Sequence, residues 1–269
     1  MKIVFEKYEG TGNDFIIIDN RAETFDQQNV KLINHLCNRR LGIGADGLLL
    51  LQNHSQYAFE MIYFNADGNV SSMCGNGGRC IAKYAYQHQI INKSAIFYAI
   101  DGEHQVEIVD EENVCLKLLV YSNIEKHNND FLAETGSPHY VTFIDDIDAI
   151  DLIKEAHKIR YNKPFDEKGI NVNFVNKALY NETVQMRTYE RGVEAETLSC
   201  GTGTVAVAMV AKQQLNVLNN ATCINIKTKG GLLKVFFKET GVWLSGAATP
   251  VFKGEIDLNS LIINRKNET

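Results

Sequence analysis

The sequence lacks the features that mark exported, membrane-bound or nucleic-acid-binding proteins. Its first residues have no apolar core of a signal peptide, and no apolar run is long enough to cross a bilayer. Only three of the 269 residues are proline and there is no Gly/Ser-rich spacer, so we expect a short linker between any domains. The formal net charge of -6 gives no electrostatic reason to expect a nucleic acid or an anionic membrane as partner. We therefore expect a cytoplasmic globular protein.

The six cysteines lack the arrangement of a disulfide framework or a metal site. Cys74 and Cys80 are too far apart for a C-x-x-C redox or zinc pair, and no second motif completes a ligand set, so no bound metal is expected. Cys37, Cys80, Cys115 and Cys223 are interpreted as small buried apolar residues. In a reducing compartment, the remaining Cys74 and Cys200 are available as reagents.

Cys74 and Cys200 open two segments of the same design, 126 residues apart. Each cysteine precedes a glycine-rich turn, and each turn leads into a run with helical spacing. Other features repeat with offsets of 124 to 127 residues, namely 11–19 with 135–143, 42–43 with 169–170, and 62–63 with 188–189. A paired strand pattern also follows each helix, over residues 105–116 in the first half and 232–244 in the second. The order of elements indicates an internal duplication into two similar halves.

The run from Val205 to Ala211 has no polar position, which predicts a helix buried on nearly all sides. Short strand patterns joined by hairpins surround it, so we expect a sheet wrapped around a central helix, with antiparallel pairing favoured over a doubly wound parallel sheet. A buried core helix in another α/β fold is the alternative that periodicity leaves open. The predicted class is α/β of the α+β type, divided near residues 121–129 into 1–120 with Cys74 and 121–250 with Cys200.

The two cysteine turns suit acid–base chemistry on an amino acid. A helix N-terminus lowers the pKa of a thiol through its N–H groups and the positive end of the dipole. Glycine turns also let a carboxylate approach the backbone N–H groups. Two such units on opposite faces of an α-carbon would racemise it, because one thiolate removes the proton and the other thiol delivers one.

Each feature by itself has a plainer explanation. A buried cysteine is usually a small apolar residue, and a glycine turn before a helix is usually only a connection. Gly201-Thr202-Gly203 is followed neither by a third glycine nor by Gly-Lys-Ser/Thr, so it does not match a nucleotide-binding motif. The duplication at matched spacing favours the functional interpretation.

A series of motifs spans the chain and closely resembles one known family. They are residues 10–15 (GTGNDF), 64–68 (FNADG), 74–80 (CGNGGRC), 138–139 (PH), 171–174 (NVNF), 189–192 (YERG), 196–197 (ET) and 200–203 (CGTG). In content and order they resemble diaminopimelate epimerase, a family of pyridoxal-independent isomerases in lysine biosynthesis. The resemblance implies cofactor-independent interconversion of LL- and meso-2,6-diaminopimelate by two thiols. It also implies two pseudo-symmetric halves, each a mainly antiparallel barrel-like sheet around a central helix, a tail (251–269) that returns to the first half, and a homodimer.

The same resemblance assigns roles to individual residues. It implies that Cys74 and Cys200 are the paired bases and that His139 and Glu190 tune their ionisation. The backbone of the residues after each cysteine would bind the reacting carboxylate, namely Gly75 and Asn76, and Gly201 and Thr202. The distal amino-acid end of the substrate would be held by Asn13, Asn65, Asn171, Glu190 and Arg191.

The chain departs from the family pattern at three places. Ser137 stands where asparagine is common, Gly47 where some members have glutamine, and Glu194-Ala195 lengthens a turn that usually contains a glycine. We therefore expect a rebuilt turn before Cys200, an altered contact at Ser137 and no substrate contact at Gly47.

The sequence leaves two other functions open. A cofactor-independent racemase of the proline or hydroxyproline type would need no clamp for a distal carboxylate, so Glu190-Arg191 argues against it. A non-catalytic amino-acid-binding protein would use the helix N-termini for an anion, and it would not need a cysteine at both turns.

Overall fold

The computed structural model describes residues 2–71, 73–118, 123–180, 182–215 and 218–258. Within them the chain forms four helices: α1 (Val30–Cys37), α2 (Gly75–Gln87), α3 (Leu152–Arg160) and α4 (Gly201–Gln214). The strands are β1 (Lys2–Gly10), β2 (Asn13–Asp19), β3 (Gly47–Gln52), β4 (Glu60–Asn65), β5 (Ser94–Ala99), β6 (Gly102–Ile108), β7 (Asn113–Lys117), β8 (Asn123–His127), β9 (Asp130–Glu134), β10 (Pro138–Ile144), β11 (Asn171–Asn176), β12 (Thr183–Glu190), β13 (Ala195–Thr197), β14 (Cys223–Thr228), β15 (Gly231–Lys238), β16 (Gly241–Ala247) and β17 (Thr249–Asp257). None of the helices in these described ranges has the length and apolar composition needed to cross a bilayer.

The chain divides into two compact units. The N-terminal unit contains the chain up to Val114 and the segment that begins at Ala248, and the C-terminal unit runs from Cys115 to Ala247. Of the expected tail 251–269, residues 259–269 lie outside the described part of the chain. The described part of that tail belongs to β17, which pairs antiparallel with β1 in the N-terminal unit.

The two units have the same order of strand pairings. In the N-terminal unit, β1–β2, β3–β4 and β5–β6 are antiparallel, whereas β2–β3 and β4–β5 are parallel. In the C-terminal unit, β9–β10, β11–β12 and β14–β15 are antiparallel, whereas β10–β11 and β12–β14 are parallel. The predicted α/β class, with two pseudo-symmetric and mainly antiparallel halves, is confirmed.

The parallel pairs are an addition that the hairpin patterns did not predict. Each of them spans a helix along the chain: α1 lies between β2 and β3, α2 between β4 and β5, α3 between β10 and β11, and α4 between β12 and β14. A chain that leaves a sheet through a helix crosses back to the end where it started, so the next strand runs in the same direction.

The helices α2 and α4 form the centre of their units. From Val205 to Ala211, every residue of α4 is buried except Met209, which is partly exposed. The helix α2 packs against β1 to β4, β6 and β17, and α4 packs against β9 to β12 and β14 to β16. The predicted sheet around a central helix is therefore present in each unit.

The helices α1 and α3 pack on their units through one face only. In α1 the helical spacing of Val30, Ile33, Leu36 and Cys37 predicts the buried face, and all of these residues are buried except Val30, which is 44% exposed. In α3 the corresponding pattern predicts a buried face of Ile150, Ile153, Ala156 and Ile159, and this prediction is partly wrong, because Ile150 precedes the helix and Ile153 is 46% exposed. Asp151 caps this helix by accepting a hydrogen bond from the Lys154 backbone N–H at 3.2 Å, so the helix begins at Leu152 and buries Leu152 together with the predicted Ala156.

Candidate active site

The N-cap residues of the four helices divide into two kinds. The helices α1 and α3 are capped by Asn29 and Asp151, whose side chains accept hydrogen bonds from backbone N–H groups of the first turn. The central helices α2 and α4 have Cys74 and Cys200 at this position, and neither side chain makes a capping hydrogen bond. Neither first turn contains an acidic residue that would neutralise the positive end of the helix dipole. Both cysteines therefore stand where a helix favours negative charge.

The N-terminal cysteine site consists of Asn13, Cys74, Asn76 and Arg79. The Asn13 carbonyl Oδ1 lies 3.6 Å from Cys74 Sγ and 3.4 Å from the amide Nδ2 of Asn76. On its other side, Asn13 Nδ2 donates to Asp46 Oδ2 at 2.6 Å. The start of β2 thus places one amide between the Asp46 carboxylate and the Cys74 sulfur.

Arg79 fixes the backbone around this site from inside the unit. Its guanidinium is completely buried and donates to Thr11 Oγ1 at 2.8 Å and to Asn76 Oδ1 at 3.0 Å. Thr11 and Gly12 both have positive φ, of 57° and 83°, in the tight turn between β1 and β2. Arg79 therefore links the first turn of α2 to the turn that positions Asn13.

The C-terminal cysteine site consists of His139, Asn173, Cys200 and Thr202. Cys200 Sγ lies 3.5 Å from Thr202 Oγ1, which in turn lies 3.0 Å from His139 Nε2. The other ring nitrogen, His139 Nδ1, lies 3.3 Å from Asn173 Nδ2. A continuous series of polar contacts therefore runs from β11 through β10 to the sulfur at the start of α4.

His139 is completely buried beneath α4. Burial lowers the pKa of His139 to about 3, and the positive charge of Arg191 acts in the same direction. Gly203 lets the helix approach this ring, because a Cβ on Gly203 would lie 2.7 Å from Asn173 Oδ1 and 3.2 Å from His139 Cε1. The imidazole is therefore neutral at physiological pH, and it can act only as a hydrogen-bond partner in its resting state.

Two of the residues expected at the distal substrate end, Asn171 and Arg191, form a cluster with Ser137, which we call the distal cluster. Ser137 Oγ lies 2.9 Å from Asn171 Nδ2 and 3.4 Å from Arg191 Nη2, and it accepts from both. The backbone N–H of Arg191 donates to Asn171 Oδ1 at 2.9 Å. The serine that replaces the common asparagine thus positions the other two side chains.

The lengthened turn before Cys200 is built around Glu194. This residue has a positive φ of 55°, and its carboxylate accepts hydrogen bonds from Arg160 at 3.0 Å and Tyr189 at 3.1 Å. Burial is the largest single influence and acts to raise the pKa of Glu194, but the hydrogen bonds from Arg160, Tyr189 and the Gly192 backbone together outweigh it, so the pKa lies below its usual range. Glu190, at the end of β12, accepts a hydrogen bond from Thr197 Oγ1 at 2.9 Å. These bonds hold the lengthened turn.

Asn65 and Gly47 lie opposite each other on β4 and β3. The backbone of Asn65 bonds to Asn69 and Gly68 in the turn that follows β4. A Cβ on Gly47 would lie 2.6 Å from the backbone oxygen of Phe64, so no side chain fits there without movement. A substrate contact from position 47 is therefore not available in this chain.

Burial makes two of the other thiols poor nucleophiles. It raises the pKa of Cys37 to about 12, and that of the completely buried Cys80 further still. Burial also raises the pKa of Cys223. Among the described residues, no group of three or more His, Cys, Asp or Glu stands where it could hold a metal ion.

The sequence interpretation missed the side chains that orient the expected ones, chiefly Arg79, Asp46 and Asn173. Asn173 could have been found by alternation, because it stands two residues after Asn171 on β11 and therefore on the same face of the strand. Arg79 follows Asn76 by three residues in α2, a spacing that places both on one side of a helix. Nothing in the local sequence indicates that Asp46 meets Asn13.

The sequence matches a family model described as diaminopimelate epimerase over residues 5–120 and 131–251. The diaminopimelate epimerase of Flavobacterium psychrophilum is 45% identical over 255 residues, which cover 93% of this chain and 98% of the relative. The corresponding protein of a Hydrogenobaculum species is 39% identical over 273 residues, covering 94% of this chain and 98% of the relative.

Solved structures with low sequence identity have a similar fold. A phenazine biosynthesis protein of the PhzF family from Bacillus anthracis superposes with a TM-score of 0.74 at 12% identity, covering 96% of this chain and 100% of the other. A hydroxyproline epimerase from Agrobacterium vitis gives a TM-score of 0.67 at 12% identity, covering 96% of this chain and 93% of the other. At this level of identity the likeness concerns the fold alone.

Proposed function

This chain belongs to the diaminopimelate epimerase family, and we propose that it interconverts LL- and meso-2,6-diaminopimelate with Cys74 and Cys200 as its two bases. The observation that supports these two residues most directly is the pair of cysteine N-caps. A cap side chain that makes no capping hydrogen bond forgoes the stabilisation that Asn or Asp supplies, which is about 1 kcal/mol when such a cap is replaced by alanine. Both central helices bear this cost at equivalent positions, while α1 and α3 have ordinary Asn29 and Asp151 caps.

The helix N-termini supply what a thiol needs to act as a base. The unpaired N–H groups of a first turn and the positive end of the dipole stabilise a thiolate beside them. The same groups stabilise the negative charge that develops on the substrate carboxylate when the α-proton leaves. We assign this binding role to the backbone of Gly75 and Asn76 in α2, and of Gly201 and Thr202 in α4.

In the proposed reaction, one sulfur enters as a thiolate and the other as a thiol. The thiolate takes the α-proton, the C–H electron pair moves onto the α-carbon and its carboxylate, and the thiol gives its proton to the opposite face. The α-carbon leaves with inverted configuration, and the two sulfurs have exchanged protonation states. The chemistry needs no cofactor, because the protein supplies both proton transfers.

The distal cluster supports a substrate with a second amino-acid end. Arg191 presents a guanidinium fork, which suits a carboxylate. Ser137 accepts a hydrogen bond from this guanidinium, and Asn171 accepts one from the Arg191 backbone N–H. We assign Asn13, Asn65 and Glu190 to the same end of the substrate. Proline and hydroxyproline have no second carboxylate, so a cluster of this kind favours diaminopimelate over those substrates.

Substitution of each cysteine tests the assignment. Cys74→Ala and Cys200→Ala are each expected to lower kcat for epimerisation of LL-diaminopimelate by about a hundredfold to ten-thousandfold, the usual worth of an acid–base group. Cys223→Ala is the matched control, because Cys223 is a partly exposed thiol outside both cysteine sites. It should keep nearly all activity. Full activity in a folded Cys74→Ala or Cys200→Ala protein would rule out the two-thiol mechanism.

We also propose that the enzyme is a cytoplasmic homodimer in lysine biosynthesis. A reducing compartment keeps both thiols in the form that the mechanism requires. Sedimentation velocity tests the dimer. Complementation of an epimerase-deficient, lysine-requiring host by this gene tests the biosynthetic role.

A further inference from the structure

The orientation of the Asn13 amide is determined by its neighbours. Asp46 only accepts at neutral pH, so the Asn13 group bonded to it must be the Nδ2 donor. Asn76 is fixed in the same way, because the Arg79 guanidinium only donates and therefore bonds to Asn76 Oδ1. This leaves Asn76 Nδ2 facing Asn13, which again requires Oδ1 on that side of Asn13.

Cys74 consequently faces a carbonyl oxygen, at 3.6 Å. A thiol can donate its hydrogen to that oxygen, whereas a thiolate would be repelled by it. The charged groups bonded to these two amides are Asp46, which lies behind Asn13 and is paired with Arg39, and Arg79, which lies behind Asn76. The contact between Asn13 and the sulfur therefore favours the protonated form of Cys74.

The orientation of the Asn173 amide is also determined by its neighbours. The backbone oxygen of Tyr140 only accepts, so the atom of Asn173 that lies 3.0 Å from it is Nδ2. The Asn173 Oδ1 atom accepts from Thr188 Oγ1 at 2.9 Å. The second hydrogen of Nδ2 points to His139 Nδ1, which must accept it.

A neutral imidazole that accepts at Nδ1 has its proton at Nε2. The His139 Nε2–H then donates to Thr202 Oγ1 at 3.0 Å, and the Thr202 hydroxyl hydrogen is left to point at Cys200 Sγ at 3.5 Å. Cys200 therefore faces a hydrogen-bond donor, whereas Cys74 faces an acceptor. A donor stabilises the thiolate.

We propose that the resting enzyme holds Cys200 as the thiolate and Cys74 as the thiol, and that Asn173 is the positioning residue that sets this asymmetry through His139 and Thr202. The inference rests on the proposed function only in assigning both sulfurs to catalysis. As a consequence, one of the two diaminopimelate isomers reacts with the resting enzyme. The other isomer reacts only after a proton has moved from Cys74 to Cys200.

The test follows the pH dependence of alkylation at each sulfur in the reduced, full-length protein. Iodoacetamide reacts with thiolates, and mass spectrometry of the digested protein gives a rate for each cysteine. The midpoint of each rate profile reports ionisation independently of how exposed the sulfur is. We expect a lower midpoint for Cys200 than for Cys74, and the reverse order would overturn the proposal. The charge that acts on His139 in this site is that of Arg191.

Asn173→Asp is the informative variant. A carboxylate at position 173 accepts from His139 Nδ1, so the ring proton moves to Nδ1 and Nε2 becomes an acceptor that draws the Thr202 hydroxyl away from the sulfur. The loss of a hydrogen bond to a charged group should raise the Cys200 midpoint by about one to two pH units and leave the Cys74 midpoint in place. We call the hydrogen bonds that run from Asn173 through His139 and Thr202 to the sulfur the relay. An unchanged Cys200 midpoint in the folded variant would contradict this relay. Asn176→Asp, the same change on the same strand, is the control, because Asn176 bonds to Gln185 and to the Ile147 backbone instead.

Thr202→Val provides a second route if Asn173→Asp does not fold. It removes the hydroxyl directly and should raise the Cys200 midpoint by the same amount. In the double variant the two effects should not add, because both break one relay, and additive shifts would show that Asn173 acts elsewhere. Long-range ¹H–¹⁵N spectra of histidine-labelled protein should show the His139 proton at Nε2 in the wild type and at Nδ1 in Asn173→Asp.

These measurements separate the inference from the proposed function. If Cys200→Ala epimerises normally while the midpoints behave as expected, the two-thiol function fails and the ionisation assignment stands. If the cysteine variants are inactive but the midpoints are equal, the function stands and the asymmetry fails.

Discussion

His139 shows how enclosure by neighbouring residues decides the charge of a single group. Its ring lies under α4, with Gly203 against one edge and Asn173 against Nδ1. Transfer of an imidazolium into such a site is unfavourable, so burial lowers the pKa of His139 to about 3. In our proposal, the role of tuning a thiol therefore belongs to a neutral ring, which acts by the direction of its hydrogen bonds rather than by its charge.

This buried ring makes a predictable contribution to stability. The folded-state pKa lies below the unfolded value near 6.5, so the contribution is fully present above that pH and is lost as the pH falls toward 3. Relative to neutral pH, the free energy of unfolding should fall by about 2 kcal/mol at pH 5 through this residue alone. Urea unfolding of the wild type and His139→Gln at pH 8 and pH 5 isolates the effect. The comparison at pH 8 gives the cost of the substitution itself, and an equal fall in both proteins at pH 5 would contradict the assignment.

At the scale of the element, α2 and α4 begin with the same design but meet different surroundings. Gly77 and Gly203 are each the third residue after the cysteine. A Cβ on Gly77 would make ordinary contacts at 3.4 Å with Phe15 and Leu49, whereas one on Gly203 would overlap Asn173. Position 77 can therefore accept a Cβ without disturbing its neighbours, whereas position 203 requires glycine because Asn173 and His139 lie directly beneath it.

The matched pair Gly203→Ala and Gly77→Ala tests this difference. Gly203→Ala should lower the free energy of unfolding by about 1 to 3 kcal/mol, because the Cβ forces Asn173 and His139 to move. Gly77→Ala should leave stability within about 1 kcal/mol of the wild type, in the stabilising direction, because alanine is the better helix former. Urea unfolding monitored by Trp243 fluorescence gives both values. Equal losses in the two variants would show that the contact of Gly203 with the relay is not decisive.

At the scale of the whole molecule, one design occurs twice along the chain. Each unit has the same alternation of antiparallel and parallel pairs, and each places a cysteine at the start of its central helix. A duplication of this kind supplies two chemically equivalent acid–base groups. The local surroundings of the two sulfurs then make them unequal, with an amide oxygen beside Cys74 and a hydroxyl beside Cys200.

Two separate bases predict a distinctive isotope pattern in D₂O. With LL-diaminopimelate as substrate, the early meso product should contain solvent deuterium at the inverted α-carbon, while recovered substrate should contain almost none. The reason is that the thiol that delivers the proton has exchanged with solvent, and the proton removed remains on the other sulfur. Proton NMR and mass spectrometry of both isomers at low conversion measure this. Meso product that retains the original hydrogen would exclude the two-base mechanism.

Much of the architecture follows from local sequence pattern. The apolar run from Val205 to Ala211 determined a buried helix, the repeated cysteine turns determined a duplicated fold, and the paired strand patterns determined mainly antiparallel sheets. These features depend on periodicity and order, which can be read along the chain. The structure corrected details that depend on packing, such as the parallel pairs across each helix and the outward position of Ile153.

The sequence by itself identified the two cysteines that we propose for the chemistry, because a cysteine before a glycine turn and a helix is a local signal that occurs twice. Only the tertiary structure decided how those residues are oriented. Asp46 meets Asn13 across 33 residues of chain, and Asn173 meets His139 across 34. An amide has a donor and an acceptor end and a neutral imidazole has one proton, so their directions are set by whichever neighbours can only donate or only accept. Those neighbours come together only when the sheets close around α2 and α4.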